Sequence, residues 1–201
     1  MACTLKPTFE IGYVIRDVRD RASSPNEYLL LEFVNPTTDI SIIRDEVLGI
    51  IDIACRIATQ VDLPHAHYDD MIIFDVDQEV PDLSHKQRLP WFKQQKASAS
   101  NTLFLNSPVA SPLVKWIGGW RKETIWIVGG NSVTHRCRDE TDCYLFRNEC
   151  LRQQKDLKAG GIYADTPRHF LRLLEMGVPE SVSLGFGLDR FLEHFLIREE
   201  T

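Results

Sequence analysis

The chain has 201 residues, of which 43% are hydrophobic and 26% are charged, and its formal net charge is −6. These proportions are typical of a folded globular domain, and they exclude a disordered or fibrous chain and a general attraction to polyanions. The longest apolar runs, such as 71–74 and 125–129, are far shorter than the roughly 20 residues that span a bilayer, so we predict a cytoplasmic protein with no membrane partner.

The predicted elements begin with a β-hairpin. Residues 8–15 and 28–34 are apolar runs rich in β-forming residues, and a polar stretch separates them. A helix is predicted next, with Asp39 or Ser41 as its N-cap. Its apolar stripe consists of Ile43, Val47, Ile50, Ala54 and Ile57.

The rest of the chain is predicted to mix strands with helices. Further strands are predicted at 71–75, 102–106, 124–129 and 181–187. Further helices are predicted at about 141–157, 166–176 and 188–199. The polar segment 76–101 is predicted to be a long irregular connection. This order predicts an α+β fold, a mostly antiparallel sheet flanked by helices, in one domain spanning 1–201.

Two clusters of metal-ligand residue types occur in the sequence. The five cysteines are an odd number and favour reduced thiols over a disulfide framework. A zinc site is disfavoured, because no CxxC-like spacing occurs among His135, Cys137, Cys143 and Cys150. A solvated turn is favoured over a metal site for His65, His67, Asp69 and Asp70.

The last predicted strand runs directly into the last predicted helix. Gly185 and Gly187 lie at this junction, and Arg190 falls in the first turn of the helix. Unpaired N–H groups and the helix dipole favour an anion there, glycines let it approach the backbone, and an arginine adds two parallel hydrogen bonds. The segment therefore suits a phosphate site, with a tightly packed corner and an ordinary surface arginine as the alternative.

The hairpin contributes three more ligand-type residues. Arg16 closes its first strand, and Tyr28 and Glu32 are four residues apart on the second strand, so their side chains share one face. An arginine can hold a phosphate, a tyrosine can stack on a base, and a carboxylate can pair with a cationic substrate. A solvent-facing or salt-bridged Glu32 is the alternative, but a charge within an apolar strand requires a partner.

Several segments together resemble the catalytic core of class II aminoacyl-tRNA synthetases. The hairpin is similar to the family's motif 2, with FEIG at 9–12, IRD at 15–17, NEY at 26–28 and LEF at 31–33. The GFGLDR segment at 185–190 is similar to motif 3. Residues 102–108 and 111–116 resemble a stretch typical of the lysyl type within the aspartyl, asparaginyl and lysyl branch. The resemblance implies a class II synthetase-like antiparallel sheet flanked by helices.

The resemblance also implies roles in ATP binding. Arg16 would hold the α-phosphate and Tyr28 would stack on adenine. Gly187 and Arg190 would contact the triphosphate tail. Arg16 and Arg190 would then be the catalytic residues, because they neutralise the charge of the transition state from two sides.

The implied substrate is an amino acid, with lysine or a lysine-like amine favoured. Glu32 matches the position that pairs with the lysine ε-ammonium, and Glu27 is assigned to the substrate site beside it. Asp139 matches a carboxylate that binds ATP-bound Mg²⁺, while Ser132 stands at a second carboxylate position of the family. ATP and Mg²⁺ are thus the implied cofactors.

The chain also departs from the family. Val18 and Ser24 replace an adenine-reading glutamate and a phosphate-contacting histidine, and the resemblance starts just before motif 2, which implies a truncated paralogue lacking motif 1 and the anticodon-binding domain. We therefore expect an aminoacyl-adenylate that is passed to a tRNA or to a carrier-type acceptor, in a homo-oligomer or with a partner subunit. The alternatives are a catalytically degenerate binding or regulatory module, and a pocket reused for another amine or nucleotide.

Overall fold

The computed structural model of the protein describes residues 6–15, 27–37, 42–64, 71–155 and 167–196. The predictions made for Arg16, Val18, Ser24, Asp39, Ser41 and the polar cluster at 65–70 concern positions outside these described residues, so they stay predictions.

The described residues form eight strands and six helices. The strands are β1 (Thr8–Ile15), β2 (Glu27–Asn35), β3 (Ile72–Asp75), β4 (Asn101–Pro108), β5 (Trp116–Ile117), β6 (Trp120–Val128), β7 (Asn131–Arg138) and β8 (Val182–Gly187). The helices are α1 (Ile42–Gln60), α2 (Val76–Glu79), α3 (His85–Ser98), α4 (Cys143–Lys155), α5 (Arg168–Glu175) and α6 (Leu188–Phe195). None of these helices is long and apolar enough to cross a membrane.

The strands build one sheet in the order β1-β2-β8-β7-β6-β4-β3, and β5 pairs with β6. The β3–β4 pair is parallel and the other neighbouring pairs are antiparallel. The predicted hairpin is confirmed, with Thr8 of β1 opposite Val34 of β2. The predicted α+β class, a mostly antiparallel sheet flanked by helices, is confirmed as well.

Helices α1 and α6 cover one face of the sheet, which we call the core face. Val47 of α1, Phe186 of β8 and Phe191 of α6 are each no more than 3% exposed and belong to one apolar cluster. Trp126 of β6 is fully buried there, with its ring centroid 6.0 Å from that of Phe191. Burial of a large apolar side chain contributes about 1.5–3 kcal/mol, so this cluster holds both helices on the sheet.

Helix α1 follows its predicted stripe from Val47 onward with one correction, and the side chain of Ile43 lies outside the described part. Val47 is buried and Ile50 and Ala54 pack against the core, but Ile57 is 55% exposed, and Ala58 takes the buried position instead. The 3.6-residue period explains the difference, because steps from Val47 along one face arrive at position 58 rather than 57.

The irregular connection predicted for 76–101 is wrong, because α2 and α3 occupy most of this segment. Helix α3 begins after Ser84, whose backbone N–H donates to Gln87 Oε1 at 3.0 Å, as in a capping box. Phe92 is 4% exposed and meets the ring of Phe104 edge-on, with centroids 5.2 Å apart. Hydrophobic periodicity does not indicate helix α3, because its composition is polar and Pro90 lies within it.

Strand β7 was not predicted, since its buried side chains are not all apolar. Arg136 in its middle is 1% exposed and pairs with Glu46 of α1, which lies 90 residues earlier. Burying an arginine is tolerable only with such a partner. The buried Arg136 therefore interrupts the apolar alternation by which a strand is predicted, and its ion pair with Glu46 is visible only in the folded structure.

Candidate functional site

The sheet face opposite the core face carries a row of polar residues, and we call it the polar face. Glu10 of β1 lies opposite Glu32 of β2, Glu32 lies opposite Gly185 of β8, and Gly185 lies opposite His135 of β7. Residues in register on neighbouring strands point to the same face. Glu32 and His135 therefore flank a glycine.

Gly185 leaves a recess between these two side chains. A Cβ added at this position would lie 3.7 Å from Leu30 Cδ1 and 3.9 Å from the His135 carbonyl oxygen, which are ordinary contact distances. The absence of a side chain is thus not forced by crowding at the backbone. It leaves the position between the Glu32 carboxylate and the His135 imidazole without a side chain of its own.

Glu32 has a raised pKa. The cause is partial burial of its carboxyl group, with repulsion from Asp139 and Glu10 adding to it, although much of the side chain remains exposed. A cation bound at Glu32 would relieve this repulsion and favour the ionised carboxylate. The position is therefore suited to an ammonium group.

Asp139 lies at the end of the same face, directly after β7. Its two carboxylate oxygens accept hydrogen bonds from Ser181, at 2.5 Å, and from Ser183. Burial raises the pKa of Asp139, and the two hydroxyl hydrogen bonds and Arg136 oppose that rise. The serines orient the carboxylate, and each oxygen retains lone-pair capacity for a further ligand.

The Asp139 carboxylate is an oxygen donor of the kind that Mg²⁺ prefers, and Mg²⁺ often uses only one or two protein carboxylates together with substrate phosphates. Among the described side chains, no three His, Cys, Asp or Glu residues converge on a metal position. Asp139 is therefore of the right chemical type for Mg²⁺, and its binding of an ATP-bound ion stays a prediction.

Helix α6 starts where β8 ends, at Gly187. Asp189 accepts a hydrogen bond from the backbone N–H of Leu29 at 2.7 Å, which ties the first turn of the helix to β2. Arg190 donates from Nη1 to the carbonyl oxygen of Ser132 at 3.0 Å. Its guanidinium carbon lies 5.8 Å from the ring centroid of Tyr28. Tertiary structure thus brings together Gly187, Arg190 and Tyr28.

Tyr28 is only 6% exposed. Its ring supports the Arg190 guanidinium, a favourable cation–π contact. A base that stacks on this ring would have to displace a neighbour that now covers it, so adenine stacking on Tyr28 stays a prediction.

Glu27 is not brought to the polar face. It is exposed at the first residue of β2, opposite Ile15, and side chains alternate along a strand. Its side chain therefore leaves the sheet on the side opposite to Tyr28 and Glu32. Of the residues predicted for the site, the structure places Glu32, Asp139, Tyr28, Gly187 and Arg190 on or beside the polar face.

The sequence pattern gave no prediction for two features of the polar face. His135 Nδ1 lies 3.0 Å from Oε2 of Glu123, a buried carboxylate that orients the imidazole. Lys96 of α3 donates to Ser132 Oγ at 3.3 Å. Burial lowers the pKa of Lys96 and Arg190 lowers it further, whereas Glu123 opposes the change. The capping box at Ser84 was the available signal for the helix that carries Lys96.

Comparison with known proteins supports the fold. No protein-family model and no curated protein sequence matches the chain. Among solved structures, the chain is similar to an aspartyl-tRNA synthetase from Entamoeba histolytica, with a TM-score of 0.60 and 13% sequence identity. The match covers 94% of this chain and 45% of that chain. This likeness shows a class II synthetase-like fold, and the chain spans less than half the length of that synthetase.

Proposed function

We propose that the chain activates an amino acid with ATP and forms an aminoacyl-adenylate. A carboxylate oxygen of the amino acid attacks the α-phosphorus, the bond from that phosphorus to the bridging oxygen breaks, and pyrophosphate leaves with the electron pair. The observation that carries the proposal is one sheet face with Arg190 and Gly187 at one end of the β7–β8 pair, and with Glu32 and then Asp139 farther along it. Cationic donors stabilise the charge on the phosphates, and a carboxylate can pair with the amine of a cationic amino acid.

ATP would lie with its phosphates near Arg190 at the start of α6. Backbone N–H groups and the guanidinium both favour negative charge there. Arg16, by the family resemblance, would hold the α-phosphate from the other side. By the same resemblance Asp139 would hold Mg²⁺, and Ser181 and Ser183 keep its carboxylate oriented.

The proposed substrate is lysine or a lysine-like amine, with the ammonium group paired to Glu32. The raised pKa of Glu32 and the neighbouring Glu10 and Asp139 support a cationic ligand in the recess at Gly185. The acceptor of the activated amino acid is proposed to be a tRNA or a carrier-type molecule. A cytoplasmic location and assembly with a second copy or a partner subunit also stay proposals.

The substitution Glu32→Gln is expected to weaken binding of lysine by about tenfold, since a hydrogen bond to a charged group contributes 1.5–3 kcal/mol. In the wild type, affinity should fall as the pH drops through the raised pKa of Glu32, at a higher pH than for an ordinary glutamate. The variant should lose this dependence. Calorimetric titration of lysine at a series of pH values, from the ordinary glutamate pKa upward to neutral pH, checks both expectations.

Glu79→Gln is the matched control, because Glu79 is an exposed carboxylate on α2. It should bind lysine like the wild type at every pH. If lysine binds the Glu32 variant as tightly as the wild type, the assignment of Glu32 to an ammonium group is wrong.

Amino-acid-dependent exchange of pyrophosphate into ATP tests the proposed reaction directly. The assay is run with magnesium, with each of the twenty amino acids and with several lysine analogues. Exchange with one of them would demonstrate adenylate formation and identify the substrate. Absence of exchange with every candidate, together with absence of ATP binding at millimolar concentration, would contradict the proposal.

A second candidate function is a binding or regulatory module that has kept the fold and lost the chemistry. It is favoured by Ser132, which contacts Lys96 where the family resemblance leads one to expect a metal carboxylate. This candidate predicts that Arg190→Ala leaves the cellular role of the protein intact. Loss of that role in the variant would count against it.

A further inference from the structure

Two cationic side chains from different elements converge on one residue of the polar face. Lys96 of α3 donates to the side-chain oxygen of Ser132 at 3.3 Å, and Arg190 of α6 donates to its backbone oxygen at 3.0 Å. Both cations are partly buried, and the positive charge of each disfavours the charged form of the other. Such an arrangement is unfavourable unless an anion compensates for it.

Four other cations that are withdrawn from solvent in the described part of the chain have carboxylate partners. Arg121 pairs with Glu140, Arg136 pairs with Glu46, and Arg88 and Lys122 both pair with Asp77. Within the described part of the chain, neither Lys96 nor Arg190 has a carboxylate within 4 Å. Glu123 acts on Lys96 only at longer range and is already hydrogen-bonded to His135.

The position of Lys96 is fixed by the turn between β6 and β7. The backbone N–H groups of Gly129 and Gly130 donate to the carbonyl oxygens of Ser100 and Ala99 at 2.6 and 2.9 Å. Both glycines have positive φ, and a Cβ at Gly129 would lie 3.0 Å from the His194 ring. The end of α3 is therefore docked on a turn that only glycines form without strain, and its last turn presents Lys96 to Ser132.

We propose that Lys96 is a further phosphate-binding residue beside Arg190, so that the two cations around Ser132 together hold the β- and γ-phosphates of a nucleotide or free pyrophosphate. The inference rests on the proposed function for the identity of the nucleotide, but the anion site itself does not depend on catalysis. Lys96 supplies a point charge and Arg190 supplies a planar donor pair, which together suit two linked phosphates.

The test measures binding of pyrophosphate, ATP and AMP by calorimetry at low ionic strength. In Lys96→Met, which keeps most of the aliphatic stem, the Kd for pyrophosphate and for ATP should rise about tenfold or more, since a charge-assisted hydrogen bond is lost. Binding of AMP should change little. Lys96→Arg should retain most of the affinity. Lys93→Met, an exposed lysine of the same helix, is the matched control and should bind all three ligands like the wild type.

The outcomes separate this inference from the proposed function. Equal pyrophosphate affinity in the wild type and Lys96→Met, or no pyrophosphate binding by the wild type, overturns the inference, and the exchange assay then decides the proposed function alone. Loss of pyrophosphate binding in Lys96→Met supports the site even if the wild type catalyses no exchange. Unchanged melting curves for all variants establish that the affinities are compared between folded proteins.

Discussion

The substitution Arg190→Ala is expected to reduce amino-acid-dependent ATP–pyrophosphate exchange by about 100- to 1,000-fold, the usual cost of removing one preorganised electrostatic donor from a transition state. Arg190 lies beside Gly187 at the start of α6 and is held toward Ser132. Its charge would face the leaving pyrophosphate. The contact between Asp189 and Leu29 remains in the variant, so the first turn of α6 keeps its attachment to β2.

The measurement is kcat/KM for ATP in the exchange assay, with Arg147→Ala as the control. Arg147 is an exposed arginine of α4, and its removal should leave exchange unchanged. If Arg190→Ala retains activity within about threefold of the wild type, Arg190 contributes less than 1 kcal/mol to the transition state. That result would remove Arg190 from the proposed catalytic residues.

The substitution Glu140→Ala is expected to lower the free energy of unfolding by about 3–5 kcal/mol, because it leaves a buried arginine without its counter-charge. Arg121 and Glu140 form an ion pair at 3.2 Å, and their side chains are 5% and 1% exposed. Glu140 also accepts hydrogen bonds from the backbone N–H groups of Trp116 and Asp142, at 3.2 Å each. All three donors would lose this buried acceptor.

Thermal unfolding followed by circular dichroism checks this expectation. A chain of this size should lose roughly 2–4 °C in Tm per kcal/mol, so a large shift is expected. Glu79→Ala, at an exposed position on α2, should shift the free energy of unfolding by less than about 0.5 kcal/mol. A similarly small effect of Glu140→Ala would mean that Arg121 regains a partner or water after the substitution.

The sequence predicted those elements whose side-chain pattern reports local structure. The hairpin at 8–15 and 28–34 was predicted because β-forming residues dominate both runs, and β1 and β2 occupy nearly the same bounds. Helix α6 was predicted from its glycine-rich entry at Gly185 and Gly187. The face shared by Tyr28 and Glu32 also followed from the two-residue period of a strand. In these cases short-range periodicity is sufficient, because it is set by backbone geometry.

The parts that were missed depend on partners distant in sequence. Strand β7 has Arg136 buried in its middle, a choice that makes sense only once Glu46 of α1 is placed beside it. Helix α3 has few apolar residues, and it becomes stable by placing Phe92 against Phe104 and its last turn against the β6–β7 turn. Local composition gives little sign of either contact.

By itself, the sequence determined the hairpin with Glu32 and the junction that presents Arg190, since each depends on residues that are near neighbours in the chain, and the order of the predicted elements determined the fold class. Only the tertiary structure decided which groups share a site. It placed Lys96 on Ser132 across 36 residues and Arg190 on Ser132 across 58 residues, and it set Glu27 apart from Glu32. Charge convergence is a property of the folded sheet, because side chains meet there through strand order and helix docking rather than through spacing along the chain.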